Sequence, residues 1–226
     1  MSDLPYRLSP ELSAQLASVL DVEGKIVRGL EALGSLAGRD VLLIDATGSA
    51  VAAGLAELGA KLIHGAGGQM FRSDLPDESV DVVIGLWSAF PGIRRKELAE
   101  AERILRPGGR LLIVHDYGRD DVSRIDPERP EYGDWGRRKG PYLSRGFRVR
   151  VLHCFWTFDS AEATAEFLAA AFGEAGAQVA ATLKRPRLSY NLAIYHRTRG
   201  GDAAVPAGET TEPAGPEAPA TVEGES

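Results

Sequence analysis

Leu75-Pro76-Asp77-Glu78-Ser79-Val80-Asp81-Val82-Val83-Ile84-Gly85-Leu86, followed after a charged run by Arg103-Ile104-Leu105-Arg106-Pro107-Gly108-Gly109-Arg110-Leu111-Leu112-Ile113-Val114, decides the fold. Val80 to Leu86 and Leu111 to Val114 are short, nearly continuous apolar runs, the pattern of strands buried on both faces of a parallel sheet. Parallel neighbours need a crossover, and Arg94 to Arg106 reads as its helix. Leu98, Ala101 and Leu105 share one face, while Glu97, Glu100 and Glu102 are expected to turn to water. Pro107 cannot continue a helix, and Gly108 and Gly109 permit the tight reversal that launches the next strand.

Working outward, Val41 to Ile44 is another buried strand, Ala50 to Leu58 the helix after it, and Lys61 to His64 a further strand. Only 15 residues, Gly65 to Ser79, separate His64 from Val80. A helix, a strand and their loops take about 25 residues, so one expected strand or helix is missing there and the sheet is abbreviated at that edge. Upstream, Ser9-Pro10-Glu11 starts a helix, with Ser9 as cap and Pro10 preset in the first turn. A second amphipathic run follows Gly24 and stops at Gly34. Downstream, Phe147 to Phe158 reads as a strand that leaves a loop and enters the core, and Asp159 or Ser160 starts a helix ending at Gly176. Its buried stripe is expected at Thr164, Leu168, Ala171, Phe172 and Ala175, with Gln178 to Leu183 and Leu192 to Tyr195 as a closing pair of strands.

The phrases around Leu75-Pro76 and Leu105-Arg106-Pro107-Gly108-Gly109 resemble the fourth strand, following helix and fifth strand of class I S-adenosylmethionine-dependent methyltransferases with a type 11-like domain. The resemblance runs from about Gly38 to Arg197. It implies a Rossmann-like α/β fold, a mostly parallel sheet closed by a C-terminal antiparallel pair. Residues 1–37 are then N-terminal helices packed on the domain, 38–198 the methyltransferase-like domain with an inserted lid at 118–150, and 199–226 a disordered acidic tail.

The same resemblance implies S-adenosylmethionine as cofactor and methyl transfer to a small molecule. The family places an acid and three glycines at alternate positions where this chain has Asp45-Ala46-Thr47-Gly48-Ser49. Counted without gaps, Leu43 takes the acid's place and Asp45, Thr47 and Ser49 those of the glycines. With a two-residue shift Asp45 is the acid, and Thr47, Ser49 and Val51 fall where glycines belong. His64 stands where the family ends its second strand with a ribose-binding acid, and Met70 and Phe71 stand near its adenine contact. Trp87 follows the next strand. Cofactor contacts are therefore expected at Asp45, Thr47, Gly48, Ser49, His64, Met70, Phe71 and Trp87.

Open α/β sheets bind ligands at the carboxyl ends of their strands, which makes Ser88, Phe90 and Tyr117 candidates for substrate contact. His115, beside Asp116, is the candidate general base for a hydroxyl-type acceptor. The loop from Gly118 to Gly146 is too long for an ordinary connection and reads as a lid, with Arg137, Arg138 and Tyr142 available to a substrate. A second reading is a methyltransferase-fold protein that does not catalyse and acts as a binding or regulatory partner, suggested by the altered turn and by His64. A nicotinamide reductase is disfavoured, because none of the six tyrosines has a Lys four residues on.

The chain has 226 residues, 44% of them hydrophobic, and a formal charge of −6. From Arg199 onward one Arg faces six acids, so the rest is close to neutral, which argues against a nucleic-acid partner. That tail is dominated by Pro, Gly, Ala, Glu and Thr, the composition of disordered segments. The lone Cys154 sits in apolar sequence and is expected to pack as a small hydrophobe. No leader or membrane-spanning run is read, and the expectation is a cytoplasmic protein without a membrane or metal partner.

Overall fold

The structure, a computed structural model, describes residues 4–44, 48–66 and 71–201. Asp45, Thr47, Met70 and the acidic tail from Asp202 onward lie outside the described residues.

Two helices open the chain, α1 (Pro10–Val19) and α2 (Lys25–Glu31). Ser9 caps α1 as expected, its Oγ accepting the Leu12 N–H at 3.3 Å. Asp21 does the same for α2, its carboxylate accepting the N–H groups of Lys25 at 3.0 Å and Ile26 at 2.7 Å. The sheet strands are β1 (Asp40–Ile44), β2 (Lys61–Gly65), β3 (Val80–Leu86), β4 (Leu105–Asp116), β5 (Arg148–Thr157) and β6 (Arg187–Thr198). Their helices are α3 (Ala50–Glu57), α4 (Arg95–Ile104) and α5 (Ala161–Thr182).

In the order β2-β1-β3-β4-β6-β5, the first four strands are parallel, β6 runs antiparallel to β4, and β5 antiparallel to β6. This is a Rossmann-like α/β arrangement, mostly parallel and closed by an antiparallel pair. Among the described residues no strand lies outside β2, so the sheet is abbreviated at that edge. Because side chains alternate along a strand, Val41 and Leu43 of β1 enter one core and Leu42 and Ile44 the other. The first core lies under α1, α2, α3 and α5. The second lies under α4 and takes Trp135, Tyr142 and Phe147 from the segment between β4 and β5.

Three expectations are corrected. Helix α4 stops at Ile104, and Leu105 already pairs with Val80 before a register shift, so strand β4 begins ahead of Pro107. Glu97 does not face water: only 1% exposed, it accepts the Arg94 N–H at 2.7 Å and closes the first turn of α4. Gly176 does not end α5, and Gln178 to Leu183 is not a strand. The helix continues to Thr182, breaking only at Gly173 (φ 58°, ψ −136°), a backbone state essentially confined to glycine. A Cβ at Gly176 would lie 2.0 Å from the Leu168 carbonyl oxygen, so this glycine marks a close approach and not a stop. The break also moves the buried stripe to Thr164, Phe167, Leu168, Gly176 and Val179, leaving Ala175 exposed. The closing antiparallel pair is therefore β5 with β6.

Candidate functional site

The carboxyl ends of β1 to β4 carry three cavities. The first, about 200 Å³, lies where β1 gives way to α3 and is lined by Gly48, Ser49, Val51, Ile26 and Trp87 among others. Gly48 has φ 78°, and among the described residues nothing lies within 4 Å of the place a side chain would occupy. Ser49 caps α3, its Oγ accepting the Ala52 N–H at 3.0 Å, which leaves its hydroxyl proton to donate elsewhere.

The second cavity, about 340 Å³, opens at the end of β2. His64 is exposed at its rim and Phe71 (4% exposed) and Leu42 (2%) are buried beneath it. Phe71 in turn rests on Phe90, with ring centroids 5.0 Å apart. The third, about 480 Å³, lies between the N-terminal segment and the end of β3, lined by Tyr6, Arg7, Trp87, Ser88, Pro91 and Arg129. Trp87 borders both the first and the third.

Beside these cavities Asp116, fully buried at the end of β4, is the centre of a polar network. Its Oδ1 accepts from Trp87 Nε1 at 2.9 Å and from the Tyr190 hydroxyl. Oδ2 accepts from Arg129 Nη1 at 2.6 Å and from the Tyr132 hydroxyl at 3.4 Å. Arg129 also pairs with Glu131 at 3.3 Å, and its guanidinium lies over the rings of Tyr6 and Tyr132. Burial outweighs the attraction of Arg129 and pushes the Asp116 carboxyl up to about 6. Ion pairing to Asp116 keeps Arg129 charged. This network ties the N-terminal segment, β3, β4, β6 and the long segment after β4 into one unit.

The expected residues divide sharply. Gly48, Ser49 and Trp87 meet around the first cavity, His64 and Phe71 around the second, Trp87 and Ser88 around the third. His115 lies inside, 2% exposed, with Nε2 donating to the Ala89 carbonyl at 3.0 Å and its ring edge-on to Trp135. Burial pushes its pKa down to about 4, so it is neutral, and it lines none of the three cavities. A base exposed to an acceptor is not what this position offers.

Phe90 is buried, and Tyr142 is a core residue, stacked on Tyr195 at 4.0 Å with its hydroxyl donating to the Phe90 carbonyl at 2.5 Å. Tyr117 is half-buried, its N–H donating to the Asn191 carbonyl. Arg137, 72% exposed, pairs with Asp134, and Arg138 is exposed beside it, both away from the three cavities. Sequence reasoning missed Arg129, Tyr132, Tyr190 and Tyr6. The only signal for them was an acid at the end of a buried strand, which must find partners somewhere.

For an adenosyl cofactor this edge offers the open space at Gly48 among the described residues and the apolar side chains of Phe71 and Leu42. At the end of β2 stands His64, where the resemblance implies a carboxylate. No protein-family profile and no curated protein sequence matches the chain. Solved structures similar to it include a candidate methyltransferase of Bacillus halodurans, 16% identical over 78% of this chain and 99% of that one, with a TM-score of 0.47. An S-adenosylmethionine-dependent methyltransferase of Aquifex aeolicus is 16% identical over 78% of this chain and 93% of that one, with a TM-score of 0.44. A geranyl diphosphate methyltransferase in complex with GPP and sinefungin is 16% identical over 84% of each chain, with a TM-score of 0.45.

Proposed function

We propose that the chain binds S-adenosylmethionine along the carboxyl ends of β1 and β2 and passes its methyl group to a small molecule in the third cavity. One observation carries the reading: Trp87 borders both the cavity at Gly48-Ser49 and the cavity at Ser88-Arg129, so ligands in the two meet at one side chain. Gly48 and Ser49 would hold the cofactor at the first cavity, and His64 and Phe71 at the second.

When bound, the cofactor supplies an already activated methyl group. The chain's share of the work is then to align the acceptor and exclude water, which is how proximity alone lowers such a barrier. Tyr6, Trp87 and Arg129 wall the acceptor side, and the hydrogen bonds on Trp87 Nε1 fix its ring. His115 is neutral and enclosed, so the proposal assigns it no proton transfer; acceptors that react without a base fit this site best.

A second reading, a binding or regulatory protein that keeps the fold without the chemistry, is favoured by His64 in the place of the ribose-binding acid. Melting the chain with S-adenosylmethionine and with S-adenosylhomocysteine, each at about 100 times its dissociation constant, separates the two. Such binding stabilises by about 2.7 kcal/mol, an upward shift of several degrees. No shift with either ligand rules out the methyl-transfer reading.

A further inference from the structure

Strand β5 ends the sheet, and its outer edge is covered along only part of its length. Leu20 bridges Trp156, the Asp21 N–H donates to the Phe155 carbonyl at 3.0 Å, and Lys25 Nζ donates to the His153 carbonyl at 2.8 Å. From Arg148 to Leu152 no backbone partner lies on that side among the described residues. An open edge offers its N–H and C=O groups to any extended segment. The charge along this one is of a single sign. Arg148 and Arg150 are exposed, share one face of the strand, and form no ion pair among the described residues. Arg148 stands opposite His196 of β6. Burial and the neighbouring charges of Arg148 and Arg150 push the His196 pKa down, so both guanidiniums act on that ring.

The chain itself carries the opposite charge nearby. After β6 it continues into residues 202–226, which hold Asp202, Glu209, Glu212, Glu217, Glu223 and Glu225 and no Lys or Arg. From Gly201 back to the level of His196 is about 17 Å along the strand direction, and β5 lies about 4.8 Å to the side. The eight residues from Gly201 to Glu209 span up to about 26 Å, so Glu209 can return to Arg148 and Glu212 can reach Arg150. Glu209-Thr210-Thr211-Glu212 contains no proline and two β-branched residues, a sequence suited to lie extended beside a strand. We propose that the acidic segment from Asp202 to Glu212 docks along the open edge of β5 in its own chain, with its carboxylates against Arg148 and Arg150. A second copy pairing edge to edge would set its own Arg148 and Arg150 against these, like charge against like, so the edge suits the acidic segment better than another β5. Of the other exposed arginines, Arg137 is already paired with Asp134.

Paramagnetic relaxation in the full chain tests it, with a nitroxide attached through Ala214→Cys, two residues past Glu212. The natural thiol, Cys154, is 1% exposed and its pKa is pushed up by burial, so it should not take the label. At low salt the amide signals of Arg148 to Leu152 and of His196 should be lost, and should return when the label is reduced. They should also return in about 1 M salt, where charges are screened beyond about 3 Å, and in the double variant Arg148→Gln/Arg150→Gln. Both arginines are exposed, so folding should survive their replacement, while Arg137→Gln/Arg138→Gln should leave the signal loss as it was. Intact signals at Arg148 to Leu152, signal loss centred on Arg137 and Arg138, or loss that persists in Arg148→Gln/Arg150→Gln would each overturn the proposal. So would loss seen only when nitroxide-labelled chains are mixed with isotope-labelled chains that carry no nitroxide, since the segment would then belong to a second copy.

Discussion

Replacing Arg129 by Met tests whether the network at Asp116 holds the carboxyl edge together. Arg129 Nη1 lies 2.6 Å from Asp116 Oδ2, and Asp116 is fully buried. Methionine fills much of the arginine's apolar volume, so the main loss is the cation. Removing one partner of a buried pair costs roughly 3–5 kcal/mol, because the remaining charge is left uncompensated. With roughly 2–4 °C of melting temperature per kcal/mol, the expected fall is about 6–20 °C near neutral pH.

The pH dependence has a definite sign. The Asp116 pKa is already raised to about 6 in the folded protein, so its contribution to stability is complete below the unfolded value and is lost as pH rises through about 6. Without Arg129 the pKa moves higher still, and the window of loss widens upward. The deficit of Arg129→Met should therefore shrink at about pH 5 and grow at about pH 7.5, and adding Asp116→Asn should recover much of it by removing the buried charge. Thermal melts of the single and double variants at both pH values provide the check. A deficit under about 1 kcal/mol that is the same at both pH values would refute the reasoning.

His115, with its pKa lowered to about 4, contributes stability that is present above the unfolded value near 6.5 and lost as pH falls through about 4. Replacing it with Gln should flatten the acid limb of the stability curve, measured by urea unfolding between those limits. Tyr142→Phe removes a hydroxyl that donates to the Phe90 carbonyl and accepts from the Gly92 N–H at 3.3 Å. Leaving those groups unpaired should cost about 1–3 kcal/mol in urea unfolding, and Tyr142 lines none of the three cavities.

The centre of the parallel half was legible because β1 and β3 are buried on both faces and the helix starts carry their own signals. Val41 to Ile44 and Val80 to Leu86 could be little else, and Ser9-Pro10 announced α1. Chain length alone disclosed the short edge, since the residues from Gly65 to Ser79 are too few for another strand and helix. Leu105 misled because it continues the apolar stripe of α4, yet pairing with Val80 draws it into β4. Gln178 to Leu183 misled in the opposite sense. The glycine that looks like a helix stop is packed against Leu168, and the actual break is three residues earlier.

At the site, the turn at Gly48-Ser49 and the positions of His64, Phe71 and Trp87 could be placed by counting from strand ends. The Asp116–Arg129 pair could not. Its arginine lies in a segment without periodicity, and what makes the pair matter is burial, which depends on contacts across four separate parts of the chain.

Where an adenosyl cofactor touches this chain can be read directly by ultraviolet cross-linking of S-adenosylmethionine labelled in its methyl group, followed by peptide mapping. The account predicts label in the peptides that carry Gly48 to Val51 or Trp87, competed away by unlabelled S-adenosylhomocysteine. Label confined to other peptides, or label that S-adenosylhomocysteine does not displace, would contradict it.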